Sequence, residues 1–191
     1  MGKTYDDLTD AHQAFIAAQH VFFVATAPRS DAGHVNLSPK GLATFAVLSP
    51  RSVAYLDYVG SGAETIAHLR ENGRITFLFC AFDGPPKILR LYGRGRVVEP
   101  SDREFAALAE RFPNADRGNG VRAVIVADLS RVADSCGFGV PLMTFTKDRT
   151  QLTDWALRKG AEGVRDYQRD KNARSIDGLP ALAWVNAHDG T

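Results

Sequence analysis

The stretch Tyr58-Val59-Gly60-Ser61-Gly62-Ala63-Glu64-Thr65 sets glycines and hydroxyls between an apolar run and a helical one. Free N–H groups at a helix start, beside residues small enough for close approach, form an anion site that suits a phosphate. Ser61 and Thr65 add hydroxyl donors. The same residues also read as a plain helix start, because Ser61 and Glu64 have capping-box spacing. Both readings stand on the local sequence. Gly60-x-Gly62-x-x-Thr65, with Asp83 about 20 residues further on, comes close to a dinucleotide fingerprint. Several strand-like runs precede it, however, where a Rossmann fold would have its first strand. The strands that follow are joined by Asp83-Gly84-Pro85-Pro86, too short for a parallel crossover. The Rossmann reading is rejected.

A second polar row lies in Asn36-Leu37-Ser38-Pro39-Lys40-Gly41. With period two, Asn36, Ser38 and Lys40 point one way, opposite Val35 and Leu37. A planar polar ligand carrying an anion fits such a row, and so does a solvated outer face. Between Ile88 and Val98, Leu89, Leu91, Gly93, Gly95 and Val97 share one face, while Arg90, Tyr92, Arg94 and Arg96 share the other. The glycines suit a sharp bend or a close backbone approach. Arginines there, Arg90 foremost, can neutralise a phosphate or a flavin; salt bridges to neighbouring strands are the competing explanation. His12, His20, His34, His68 and His188 form no metal-ligand spacing, and no GxSxG elbow occurs. Cys80 reads as core, and Cys136, between small residues, as a packed thiol ahead of a reactive one.

These residues need a scaffold. The 191 residues suit one domain with an appended tail, and 45% hydrophobic with 24% charged residues argue for a packed core and against disorder. Lys and Arg number 23 against 22 Asp and Glu, which removes any global pull toward nucleic acid or acidic membrane. No run approaches the roughly 18 apolar residues of a membrane span, and no secretory signal is visible, so a cytoplasmic location is expected. The two cysteines, without a CxxC pair, argue against a disulfide framework.

Periodicity predicts a helix over 9–20 capped by Thr9, then strands over 21–27, 34–38, 43–48 and 52–58. A helix over 63–72, stopped by Asn72-Gly73, leads to strands over 74–82 and 87–98. Ser101 and Glu104 predict a capping box for a third helix that Pro113 ends, before a valine-rich strand over 121–132. A single amphipathic helix is expected over 149–172, weakened by Gly160 and Gly163, followed by a tail without clear period. Many strands and few helices make a β-dominated barrel with helical additions.

The run VAYLDYVGSGAETIAHLRENGRITFLFCAFDGPPKILRLYGRGRVV resembles the pyridoxamine 5'-phosphate oxidase-like split-barrel flavoproteins. In that family a strand, a Ser-containing turn, a short helix ending in E-N-x-R, a strand and a Gly-bearing strand follow in this order. NLSPKG stands where the family has its flavin-flanking strand, and the match covers about residues 21–132. The resemblance implies a mainly β protein with α additions, a split β-barrel with peripheral helices and a helical C-terminal extension. Residues 1–135 would form the FMN-binding split-barrel domain, and 136–191 an extension packed on the barrel or on the partner subunit.

The resemblance further implies a homodimer with FMN (flavin mononucleotide) at its interface and a small-molecule substrate, with no nucleic acid, membrane or metal. The implied function is FMN-dependent oxidoreduction; the alternatives are a non-catalytic flavin-binding or storage protein, or a barrel using deazaflavin or haem. Carried over by position, Asn36, Leu37, Ser38, Pro39, Lys40 and Gly41 run beside the isoalloxazine ring, with Lys40 near the phosphate or a substrate anion. Ser61, Gly62, Glu64 and Thr65 occupy the turn that holds the FMN phosphate. The chain departs from the oxidase itself, which has an Arg-Lys pair where Glu64 and Thr65 stand here. Phosphate binding then leans on helix N–H groups, hydroxyls and cations such as Lys40 or Arg90. The segment KNARSIDGLPALAWV looks like the longer tail of one flavoprotein subgroup; by analogy its Ser175 and Asp177 close over the other subunit's flavin, with structural packing as the competing reading. No catalytic acid or base is named, since the flavin carries the chemistry.

Overall fold

The computed structural model of the chain describes residues 2–112 and 120–187. Pro113 and His188, the expected helix stop and the last histidine, lie outside the described residues. Strands β1 (Thr4–Tyr5), β2 (Phe22–Thr26), β3 (Asn36–Lys40), β4 (Phe45–Ser49), β5 (Ser52–Tyr58), β6 (Arg74–Cys80), β7 (Ile88–Val98) and β8 (Val121–Ser135) alternate with helices α1 (Asp10–Ala17), α2 (Glu64–Asn72), α3 (Phe105–Ala109), α4 (Gln151–Lys171) and α5 (Ala183–Asn186). The strands form one antiparallel sheet in the order β3-β2-β6-β7-β8-β5-β4, with β1 added along β8.

The sheet curls until its two ends face each other. Phe45 of β4 packs edge-on against Phe22 of β2 and Phe79 of β6, each with 5.0 Å between ring centroids. Strands β3 and β4 are the ends of the ladder and do not pair, so the barrel is split along that seam. Val24, Val53, Tyr55, Phe77, Leu89, Leu91 and Ile125 fill the interior, with Ile66 and Leu69 of α2 packed into the same core. Burying each such side chain contributes about 1.5–3 kcal/mol. Bending demands small residues on β7. The ladder slips between Tyr92 and Gly93, where a Cβ would run into the Asp128 carbonyl, and a Cβ on Gly95 would stand 2.9 Å from Leu69.

Local signals set most element ends. Thr9 caps α1 in a reciprocal box with His12, and Gly73, at φ +71°, ends α2 in the left-handed region that glycine tolerates. Several expectations need correction, and Cys136, expected to be a packed thiol, is exposed. The Ser101–Glu104 box does not form: Glu104 pairs with Arg96 of β7, and α3 shrinks to five residues. Both side chains of this pair are half-exposed, so it takes Glu104 away from the box without adding much stability. The helix over 149–172 is two segments broken at Gly160 (φ +67°, ψ 172°). The first helix also ends earlier than expected, at Ala17.

Residues of α4 and of the segment around α5 pack on the barrel of their own chain. Ala156 and Val164 of α4 cover Val59, and Ala181, Leu182 and Val185 join the barrel core. Glu99, buried at the end of β7, pairs with Arg70 and accepts the N–H groups of Ala183 and Trp184, which fastens the start of α5. Among the described residues, no helix is long and apolar enough to cross a membrane.

Candidate functional site

A cleft of about 460 Å³ opens beside the seam, lined by β3, the 41–44 turn, the end of β5 and the start of α2. Ladder geometry explains which side chains reach it. Pairing of β3 along β2 turns Asn36, Ser38 and Lys40 to the cleft and leaves Leu37 outside, 65% exposed. Asn36 Nδ2 donates to Thr26 Oγ1 (3.1 Å) and Thr65 Oγ1 (3.0 Å), and Ser38 Oγ donates to Asn36 Oδ1 (2.9 Å). Thr26 Oγ1 in turn lies 3.0 Å from His68 Nδ1. The polar row is therefore anchored into the barrel and α2.

At the other end of the cleft, α2 starts without a side-chain cap. Its N-cap is Ala63, and Ala67 is the residue that donates back to the Ala63 carbonyl. The Ser61–Glu64 capping box is thus not made; the N–H groups of Glu64, Thr65 and Ile66 precede the helical ladder. The Glu64 carboxylate folds over Gly62 and accepts the Ile176 N–H over 3.3 Å.

Beneath this turn lies a charge cluster that the sequence reading did not assemble. Asp57 of β5 is fully buried; Lys40 Nζ donates to its Oδ1 and Arg122 Nε to its Oδ2, each over 2.7 Å. Arg122 Nη1 also donates to the Gly62 carbonyl over 2.7 Å. Burial on its own would raise the Asp57 carboxyl, but Arg122 and Lys40 outweigh it and hold it below the ordinary carboxylate range. A bulge between Asp57 and Tyr58, opposite Val121 and Ala123, leaves Arg122 as the extra residue on β8 and aims it at the cleft. The turn that follows β3 is strained: Leu42 (φ +63°) and Ala43 (φ +52°) are consecutive left-handed residues that are not glycine.

Of the residues named from sequence, Asn36, Ser38, Pro39, Lys40, Gly41, Ser61, Gly62, Glu64 and Thr65 line this one cleft. Leu37, Arg90, Ser175 and Asp177 do not line it. Arg90 reaches Ser135 (3.2 Å), and Ser175 Oγ accepts the Leu179 N–H inside its own turn. Asp177 binds His34 through both its backbone N–H and its ring, over 2.8 and 2.7 Å, which holds the tail beside the β2–β3 loop. Asp57, Arg122, Leu42, Thr44, Leu56 and Leu152 were missed. For the charged pair a signal existed: Asp57 is the one charge in β5, and Arg122, of opposite sign, is the one charge in the apolar run 121–127 that opens β8.

The sequence matches the family model for pyridoxamine 5'-phosphate oxidase over residues 8–136, more than half of the chain. This chain belongs to the pyridoxamine 5'-phosphate oxidase family. A member of that family from Aspergillus flavus, the family protein ustO, is 43% identical over 195 residues, spanning 93% of this chain and 77% of the relative. Among solved structures, HupZ of Group A Streptococcus superposes with a TM-score of 0.53 at 18% identity, over 65% of this chain and 91% of that one. A Clostridium acetobutylicum protein of the pyridoxinephosphate oxidase family, related to general stress protein 26, gives a TM-score of 0.51 at 12% identity, over 74% and 94%. At such identities the likeness is one of fold, the split barrel of the pyridoxamine 5'-phosphate oxidase family.

Proposed function

We propose that the cleft binds FMN and that the protein is an oxidoreductase passing hydride or electrons between the flavin and a small molecule. The observation that carries this reading is one juxtaposition: an uncapped α2 start beside Lys40 and Arg122, with the Asn36–Ser38 row along the adjoining wall. The volume lies in the roughly 300–1,000 Å³ range of ligand pockets. The donor set suits a phosphorylated, heteroaromatic ligand. The α2 N–H groups, the Ser61 and Thr65 hydroxyls, Lys40 and Arg122 would take the phosphate, and Asn36 Oδ1 and Ser38 Oγ, whose own donors are committed within the row, would accept from a ring N–H.

Bound flavin supplies the redox chemistry. The chain binds and orients it, and Leu42, Leu56 and Leu152 give the cleft an apolar wall. In this reading the protein works as a homodimer. Val35 and Leu37 on the edge strand side, and Phe138, Leu142 and Met143 after β8, stay exposed and offer apolar surface for a second copy. Arg90 and Asp177, outside their own cleft, would serve the partner's, whereas Ser175 is buried inside its own turn.

The test is the visible spectrum of the purified protein, followed by mass spectrometry of what heating releases. A flavin spectrum with the mass of FMN supports the reading, and failure to bind added FMN sinks it. Reduction by a nicotinamide donor with turnover of an acceptor separates an oxidoreductase from a flavin store.

A further inference from the structure

We propose that Asp57 is a positioning residue for an anion subsite: it fixes Lys40 and Arg122 side by side under the Gly60–Gly62 turn, so the cleft grips a phosphate by placement of donors and not by net charge. The inference rests on the FMN reading above and deepens it.

Three observations support it. First, the charges cancel. Lys40 and Arg122 are matched by Asp57 below them and by Glu64 over Gly62. Such a cleft has little long-range attraction for a dianion, and selectivity has to come from short, aimed hydrogen bonds. Second, the cluster spans the seam. Lys40 sits on β3, at one end of the ladder, while Asp57 and Arg122 sit on β5 and β8 near the other end. The Lys40–Asp57 pair thereby ties two barrel walls that no backbone ladder joins. Third, the arrangement is a poor way to stabilise a barrel. Buried ion clusters are often outperformed by apolar residues of similar volume, yet this one stands in apolar strands beside an open cleft. Arg122 also holds the Gly62 carbonyl, so the same carboxylate that orients Arg122 orients the turn.

The test compares FMN with riboflavin, which lacks the phosphate, by fluorescence titration of wild type and Asp57→Asn. Placement predicts that Asp57→Asn lowers FMN affinity about tenfold or more while riboflavin affinity stays within about threefold, although the cleft has become more positive. A preserved or increased preference for FMN in Asp57→Asn means that net charge governs, and overturns the inference. So does a wild type that binds both flavins equally. Retained riboflavin binding is the readout that a merely structural defect would not spare. Should Asp57→Asn fail to fold, Lys40→Arg carries the same comparison, because it keeps the charge and changes the geometry. Placement then predicts a lost preference, and an unchanged one overturns it. A wild type that binds neither flavin fails the cofactor reading instead. Inorganic pyrophosphate then serves as the probe, with equal affinities in wild type and variant overturning the inference and weaker binding by the variant sustaining it.

Discussion

Asn172 Nδ2 donates to the Gly60 carbonyl over 2.9 Å, joining the end of α4 to the turn that opens α2. Asn172 is fully buried, and its Oδ1 has no hydrogen-bond partner among the described residues. Gly60 faces open space, with nothing within 4 Å of where its Cβ would stand. The turn is thus held by the tail from one side and by Arg122 from the other.

Removing the tail's hold has a defined cost. Asn172→Ala leaves the half-buried Gly60 carbonyl without this donor and is expected to lower stability by about 0.5–1.5 kcal/mol in urea unfolding. Flavin release should also quicken, because the turn loosens. An unchanged midpoint and unchanged release would show that the tail does not support the turn.

Glu99 fastens the last helix. Glu99→Ala leaves Arg70 unpaired and strips the acceptor from the Ala183 and Trp184 N–H groups. Arg70 is about one-third exposed, so solvent takes up part of that loss, and the expected destabilisation is roughly 2–3 kcal/mol. Limited proteolysis should then cut the chain after α4 well before the barrel. Resistance equal to wild type would argue that the apolar residues Leu182 and Val185 hold the tail unaided.

The strained turn after β3 predicts an unusual sign. Glycine in place of alanine commonly costs about 0.5–1 kcal/mol through the unfolded chain. At Ala43, φ is +52°, so Ala43→Gly relieves strain of about 1 kcal/mol and stability should hold or rise. Gly93→Ala is the converse, since its Cβ would meet the Asp128 carbonyl, and should cost roughly 1–3 kcal/mol. Thermal unfolding of the two variants checks both signs.

Stability should also fall on mild acidification. Burial lowers the His68 ring below its ordinary value of 6.5 and Arg74 works the same way, against Asp177, Glu64 and Glu71, which raise it. Burial and Lys87 likewise lower His12, against Asp134. The unfolded chain takes up these protons first. The stability the neutral rings contribute is complete above the ordinary histidine range and is lost as pH falls through the lowered folded values. The melting temperature should drop between about pH 7 and about pH 5, and His68→Asn should flatten that slope. A wild-type melting temperature constant over this window would contradict the assignment.

The sequence by itself carried the elements and half of the site. Alternation in Asn36–Lys40 was enough to put Asn36, Ser38 and Lys40 on one face, and Asn72-Gly73 was enough to end α2. These are short-range effects: φ/ψ preference, pleat and helical period act over a few residues and leave their mark in neighbours. Where a distant partner competed, the local reading failed. Glu104 had the spacing of a cap but bonds Arg96, and Glu64 bonds the Ile176 N–H of the tail.

Only the tertiary structure decided which charges meet. Asp57 is the one charge in β5 and Arg122 the one charge in the apolar run 121–127, and a buried charge must be paired, so the need for partners was legible. The choice of partners was not. Lys40 meets Asp57 across 17 positions and Arg122 meets it across 65, through the curl of the sheet and a bulge on the β5–β8 ladder. Electrostatic pairing depends on distance in space, and the closing of the barrel sets that distance.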